Sequence, residues 1–364
     1  MKVTETKIQR RFLEIDLMET IAIFFVILYH GTKYSFDFLQ SGELSDYLIY
    51  FLRTILATCV PIFFFVNGYL LLNKSFDLKK HIKKTVRLFF LTFIWALILM
   101  PLYLLIANEP ITLSAIYVPI LNLSTNHEMN LFWYLGALIC IYILFPLIKT
   151  TYDNNRKAFI FFIVVIALFT IVFDLANEIV LLLSKFTHVF EDGLEMPIVI
   201  MFNPFRGSYG YSFVYFGIGG LMYTLKDKIL NIKPIKRNTL AILGIVLNCV
   251  CLFIMGVLHS KYIKNELWDI IWNGYDTIFT MCNVICIYTL CLNLKKEFRV
   301  IKAISCNTLG IYFIHNLFLN WVKHYAVFAL SNIGFSIITA LVVLLCCLVI
   351  SLLMKKIPLI KNLV

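Results

Sequence analysis

Apolar residues run along this chain in blocks of helix length. Ten such blocks, with soft edges, lie at 13–33, 46–72, 86–107, 131–148, 158–183, 211–225, 239–258, 273–293, 306–328 and 333–354. At about 1.5 Å of rise per residue, each crosses, or nearly crosses, roughly 30 Å of hydrocarbon as a helix. Runs of this length are too long for barrel strands. The sixth block is the shortest and is rich in glycine (Phe216-Gly-Ile-Gly-Gly220), so its edges are the softest.

The polar separators between the blocks alternate in charge. Of the 32 Lys and Arg residues, seven (Lys33, Arg53, Lys185, Arg206, Lys261, Lys264 and Lys323) fall on one side of the alternation and the other 25 fall on the opposite side. Cytoplasmic loops carry the basic excess. The pattern therefore predicts an all-α integral membrane protein, a bundle of about ten transmembrane helices with both termini in the cytoplasm.

Composition agrees with this and removes alternatives. The chain is 61% hydrophobic and only 15% charged, a mix that does not furnish a water-facing surface for 364 residues. Lipid is then the solvent for most of the surface, and inside lipid the backbone must satisfy its own hydrogen bonds. The net charge of +11 would suggest a nucleic-acid partner in a soluble protein. Here topology accounts for it, so membrane lipid is expected as surroundings and nucleic acid is not. The ten cysteines sit almost all in apolar blocks and read as small core residues rather than metal ligands or disulfides. No repeat or low-complexity tract appears, and residues 1–364 read as one membrane domain. The apolar core Ile21 to Tyr29 follows a charged run without a small-x-small site, which argues against a cleaved signal. The two longest outer loops, about 108–130 and 184–210, have the Pro, Gly, Asn and Phe content of lids or re-entrant segments.

The candidate chemistry lies in residues that are costly in a membrane, about 2.5–3.5 kcal/mol for an ionisable group near the centre. The first block carries Asp16, Glu19 and His30. Glu19 and His30 are eleven residues apart, hence about 20° apart around a helix and roughly 16 Å along it, on one face. A neutral imidazole there suits a general base. A histidine hydrogen-bonded to a neighbour near the outer interface fits the same spacing. Lys84 and Arg87, three apart, project from one face at the inner end of the third helix. They form either a grip for a phosphate-bearing cofactor or an ordinary basic anchor. Arg53, Asn67, Asn130, Asp276, Asn283 and His315 read individually as helix–helix hydrogen-bonding groups. Phe132-Trp133-Tyr134 reads as an interfacial aromatic belt, with His127 and Glu128 just before it.

Six segments, in order, resemble the acyltransferase-3 family of membrane acyltransferases that act on cell-surface glycans. Ile15-Asp-Leu…His30 resembles its first-helix motif. Val60-Pro-Ile-Phe-Phe-Phe-Val-Asn-Gly-Tyr-Leu70 resembles its second-helix "VPxFFxxSGYL" segment, and Lys83-Lys-Thr-Val-Arg-Leu88 its basic entry to helix three. Leu131-Phe-Trp-Tyr-Leu135 through Pro146, Phe213 to Tyr223, and Leu309-Gly-Ile-Tyr-Phe-Ile-His315 resemble its later helices. The resemblance spans nearly the whole chain.

It implies O-acyl transfer, with acetyl as the family default. The donor is acetyl-coenzyme A in the cytoplasm, and the acceptor is a hydroxyl of an envelope polysaccharide or its lipid-linked precursor. It implies His30 as the catalytic residue and Lys84 with Arg87 on the cofactor phosphates. Asp16, Glu19, Asn67, Trp133 and His315 are expected as supporting polar positions, and no metal. A multi-pass protein of a bacterial plasma membrane follows, with one continuous polar channel from Lys84 to His30. The chain departs from the family at Glu19, where an arginine is usual, at Lys84 in place of the first arginine of Arg-x-x-Arg, and at Asn67 in place of serine. A glycan export protein of the same fold, without transferase activity, is the competing expectation.

Overall fold

The structure, a computed structural model, describes residues 12–32, 36–121, 130–187, 209–330, 332–358, 360, 361 and 363. His127, Glu128, Lys33, Arg206 and the central parts of both long loops lie outside them, as does the side chain of Asn130. Among the described residues every regular element is helical. In chain order these are α1 (Leu13–Thr32), α2 (Phe38–Ser41), α3 (Leu44–Leu56), α4 (Cys59–Leu72), α5 (Leu78–Ala107), α6 (Leu113–Leu121), α7 (Trp133–Asn154) and α8 (Arg156–Ala167). They continue with α9 (Phe173–Thr187), α10 (Tyr211–Leu230), α11 (Pro234–Leu258), α12 (Ile278–Cys291), α13 (Arg299–Ser305), α14 (Thr308–Tyr325) and α15 (Ile333–Met354).

Each of the ten apolar blocks contains a helix, and six helical stretches among the described residues are long and apolar enough to cross a membrane. Those six are Leu44–Leu72, Leu78–Ala107, Trp133–Asn154, Arg156–Lys185, Pro234–Ile263 and Ile333–Met354. The first is broken in the middle: α3 ends at Leu56, and α4 starts at Cys59 after a turn in which the Thr58 hydroxyl bonds back to the Ile55 carbonyl at 2.7 Å. Two others carry π-turns, Leu168–Val172 between α8 and α9 and His259–Lys264 after α11. Such turns bend a helix by adding one residue to it.

Polar side chains set the helix starts. Asp77 caps α5 by accepting from the Lys80 amide at 3.0 Å, and that hydrogen bond holds its carboxyl below the usual carboxylate range. Asn155, Thr277 and Asn332 cap α8, α12 and α15 in the same way.

The glycine-rich block turns out to be the centre of the bundle. From Tyr211 to Met222, α10 is almost wholly buried and lies along α4. The helices touch backbone to backbone: a Cβ on Gly68 would stand 1.8 Å from the Phe216 carbonyl oxygen, and one on Gly219 would stand 2.0 Å from that of Phe65. A helix that presents glycine to its neighbour has little apolar side chain to advertise itself, which is why this block reads as the weakest. The outward faces of α5, α8, α11 and α15 carry exposed Phe90, Leu97, Phe161, Leu243, Leu247, Ile338 and Leu345. A continuous apolar exterior on helices of this length fits a lipid surround.

Candidate functional site

Four helices, α1, α4, α7 and α14, line two cavities placed end to end. On α14 the lining residues recur every three or four positions. Thr308, Leu309 and Tyr312 face one cavity, and Tyr312, His315, Asn316, Leu319, Asn320 and Lys323 face the other. On α4, Phe63 and Asn67 face the first, Val60 and Phe63 the second. The stripe on α14 is legible in the sequence once its 3.6-residue period is followed.

The first cavity, of about 300 Å³, is entered by the start of α5. Lys84 and Arg87 line it together with Glu19, Asn67, Tyr134 and Tyr142. Lys84 and Arg87 thus share one cavity, as their spacing suggested, and Glu19, which spacing had grouped with His30, lines the same cavity. A hydrogen-bond chain holds Lys84: its ammonium donates to the Tyr142 hydroxyl at 3.2 Å, Tyr142 donates to the Asn67 amide oxygen at 2.8 Å, and the Asn67 amide nitrogen donates to the Phe63 carbonyl at 2.9 Å. The ammonium also sits over the Tyr142 ring, 5.0 Å from its centroid. Lys74 stands close enough for its charge to be felt: burial, and then Lys84, push its ammonium pKa down. Lysines crowding one mouth in this way are suited to an anion.

Glu19 opposes that charge. With Asp16 it meets the hydroxyl of Ser305 at the end of α13, at 2.5 Å from Glu19 and 2.8 Å from Asp16. Asp16 is buried, so α1 is keyed to α13 through this hydroxyl. Asp16 therefore fixes the helix, while Glu19 reaches the cavity and offsets one of its two cations.

The second cavity, of about 160 Å³, is lined by His30, Tyr29, Trp133, Trp272, Tyr275 and the upper stripe of α14. His30 and His315 face each other across it, ring centroids 5.5 Å apart. Trp133 stacks on Tyr209 and Tyr275 at 5.1 and 5.8 Å and meets Trp272 edge-on. The belt reading of Phe132-Trp133-Tyr134 is corrected here. Phe132 and Tyr134 are buried, and Trp133 is a wall of the cavity, because α7 turns this face toward α4 and α14.

Phe63, Tyr134 and Tyr312 line both cavities. Their rings pack at 5.8 Å (Phe63–Tyr134) and 5.6 Å (Tyr134–Tyr312), and the Tyr312 hydroxyl donates to the Leu131 carbonyl. The expected continuous channel is therefore two chambers meeting at an aromatic partition. Sequence reasoning gave Phe63, Tyr312 and Tyr142 no role of their own, and Tyr134 only a place in the belt, because aromatic side chains in apolar helices look like core or interface. The recurrence of Tyr134, Leu138 and Tyr142 every four residues was the available signal.

Behind His30, the end of α1 is tied down by a polar cluster. Arg53, 2% exposed, donates to Thr32 at 2.9 Å and pairs with Asp269 at 3.5 Å, and Tyr29 donates to Asp269 at 2.9 Å. Arg53 and Asn283 (bonded to Asn248 at 3.1 Å) are helix–helix groups, as expected. Replacing Arg53 with Met is expected to cost about 2–3 kcal/mol, below the roughly 3–5 of a fully buried pair, because Asp269 keeps contact with solvent. The exposed pair Lys302–Glu297 supplies the comparison, with Lys302→Met costing under about 1 kcal/mol. Thermal unfolding in detergent decides it, and equal losses would contradict the ranking.

No curated protein and no solved structure matches the chain significantly. A family model described as an acyltransferase domain does match, over residues 12–352. With that match spanning the α1 carboxylates, His30, the Lys84/Arg87 mouth and the α14 stripe, the chain belongs to the acyltransferase-3 family of membrane acyltransferases.

Proposed function

We propose that the protein transfers an acyl group, acetyl by preference, from cytoplasmic acyl-coenzyme A to a hydroxyl of an envelope glycan or its lipid-linked precursor on the other side of a bacterial plasma membrane. One observation carries the reading. A cation-lined chamber and an imidazole-lined chamber are built on the same four helices and share one wall. Lys84 and Arg87 meet the cofactor phosphates, and the pantetheine arm points its thioester at the partition. His30 acts on the far side, as base toward the hydroxyl or as a brief carrier of the acyl group. The ten helical blocks, read as ten spans with both termini in the cytoplasm, put the basic chamber inside, in keeping with the lopsided distribution of Lys and Arg. Passage of the acyl group requires Phe63, Tyr134 and Tyr312 to swing apart. At rest their packing keeps water from the thioester and blocks the free path that glycan export would need, which favours transfer over export.

The test is donor binding by the purified protein. Charge-assisted hydrogen bonds contribute about 1.5–3 kcal/mol each, and 1.4 kcal/mol is tenfold. Lys84→Met and Arg87→Met are each expected to weaken acetyl-coenzyme A binding by roughly 10- to 100-fold in titration calorimetry, while Lys302→Met leaves it unchanged. Binding unaffected by both cation variants would remove the donor site. In cells, loss of the protein should strip acyl groups from a glycan that is still displayed. Disappearance of the glycan itself would favour export.

A further inference from the structure

The second imidazole of the far chamber is held in one orientation and one tautomer. His315 is fully buried, and its Nδ1 lies 2.6 Å from the Tyr312 carbonyl oxygen. A carbonyl only accepts, so Nδ1 carries the hydrogen and Nε2 carries the lone pair. That Nε2 has no hydrogen-bond partner among the described residues. Buried polar atoms are nearly always paired. His259 Nε2 is also unpaired among the described residues, but His259 does not line this cavity, whereas His315 does. The ring lines the same cavity as His30, and the two centroids are 5.5 Å apart. An imidazole whose Nδ1–H is held by an oxygen is fixed in the tautomer that leaves Nε2 free to accept a proton.

We propose that His315 Nε2 takes the proton of the acceptor hydroxyl while His30 carries the acyl group. The proposal rests on the acyl-transfer reading and divides its chemistry between two residues. In the first step a His30 ring nitrogen attacks the thioester carbonyl. The N–C bond forms, the C–S bond breaks, and the thiolate leaves with the proton that His30 gives up. In the second step the acceptor oxygen attacks the acyl carbon. The C–O bond forms, the C–N bond breaks, the hydroxyl proton passes to His315 Nε2, and from there it returns to His30. The acyl group leaves His30 a lone pair only on its other ring nitrogen and makes that nitrogen a much weaker base, so the second imidazole supplies what the first has lost. Asn316 and Asn320, on the same stripe of α14, supply hydrogen-bonding groups for a polyhydroxylated acceptor.

His315→Asn separates the roles, because its amide nitrogen takes the place of Nδ1 and still donates to the Tyr312 carbonyl while Nε2 is gone. The full-length protein is expressed in membranes that contain the acceptor, opened to solution and supplied with radiolabelled acetyl-coenzyme A. Transfer to membrane glycan is expected to fall about 10²- to 10⁴-fold, the range for removing a general base. Acetylated His30 is expected to accumulate in peptide mass spectra, and His30→Ala is expected to carry no label. His315→Gln, closer in volume, is the second variant and is expected to behave alike. Transfer within threefold of wild type in either folded variant overturns the proposal, as does lost transfer without acetylated His30. If neither variant folds, wild type given donor without acceptor still decides, since His30 must become acetylated. Wild-type protein that moves no acyl group at all refutes the broader reading instead.

Discussion

Replacing His30 with Ala is expected to lower acyl transfer by about 10³-fold or more while leaving the fold and donor binding in place. The reason is positional. His30 is on the far side of the Phe63–Tyr134–Tyr312 partition from Lys84 and Arg87, so the two losses are separable. Its ring is half-buried at the end of α1, where Tyr29, Thr32, Arg53 and Asp269 already hold the backbone. Alanine leaves those anchoring contacts in place, so stability should change by no more than about 1 kcal/mol. General acid–base participation contributes roughly 10²–10⁴-fold, and a residue that itself carries the acyl group stands at the upper end of that range. The measurement is label from acetyl-coenzyme A appearing on membrane glycan, with titration calorimetry of the same preparation for the donor. Lost transfer with intact binding is the expected pair of results. Transfer retained above a tenth of wild type would remove His30 from the chemistry.

The one-faced placement of Glu19 and His30 on α1 was legible because helical spacing is rigid over eleven residues. The pairing of Lys84 with Arg87 was legible for the same reason over three. Spacing carries no information about which other helix a face will meet. Ser305, which joins Asp16 and Glu19 of α1, is about 290 residues away in sequence and looks like any small polar residue at a helix end. The aromatic partition failed to register on different grounds. Phe63, Tyr134 and Tyr312 satisfy every rule for core residues, and only the convergence of three helices makes them a barrier. The break at Ala57–Thr58 was also passed over, although Pro61 in the first turn of α4 was a signal for a helix start; the turn is buried in protein, and the Thr58 hydroxyl satisfies the Ile55 carbonyl.

Asn67 shows how a departure from a family motif can still be read physically. An amide has both a donor and an acceptor, and here both are used, toward the Phe63 carbonyl and the Tyr142 hydroxyl. Serine has a single proton and a shorter reach, so the Tyr142–Lys84 link belongs with the amide. Glu19 differs in kind, because it changes the sign of a charge inside the basic chamber. With Lys84 and Arg87 it leaves that chamber a net of about one positive charge when all three are ionised.

The largest expected loss of folded protein comes from the smallest substitutions. Gly68→Ala and Gly219→Ala each add one methyl group at the α4–α10 crossing, where the partner atom is a backbone carbonyl, Phe216 or Phe65. The built Cβ positions at 1.8 and 2.0 Å are far inside the roughly 3.4 Å of ordinary contact. A side chain would rotate away, but a helix backbone has to translate. The two helices would part by more than 1 Å along a buried face that includes Phe64, Phe65, Tyr69, Val214, Tyr215 and Phe216. Overpacking a core costs about 1–3 kcal/mol when side chains can adjust, and more when they cannot, which places these variants at or beyond 3 kcal/mol. Gly136, with nothing within 4 Å of its built Cβ, is the control, and Gly136→Ala should be neutral or slightly stabilising through helix propensity. Fluorescence-detected size exclusion in detergent reads the outcome: aggregated or absent Gly68→Ala and Gly219→Ala protein beside a normal Gly136→Ala peak. A normal monodisperse peak with unchanged melting temperature for either crossing variant would mean that α4 and α10 do not meet through their backbones. Both chambers would then have to be redrawn, because α4 supplies Phe63 and Asn67 to their walls.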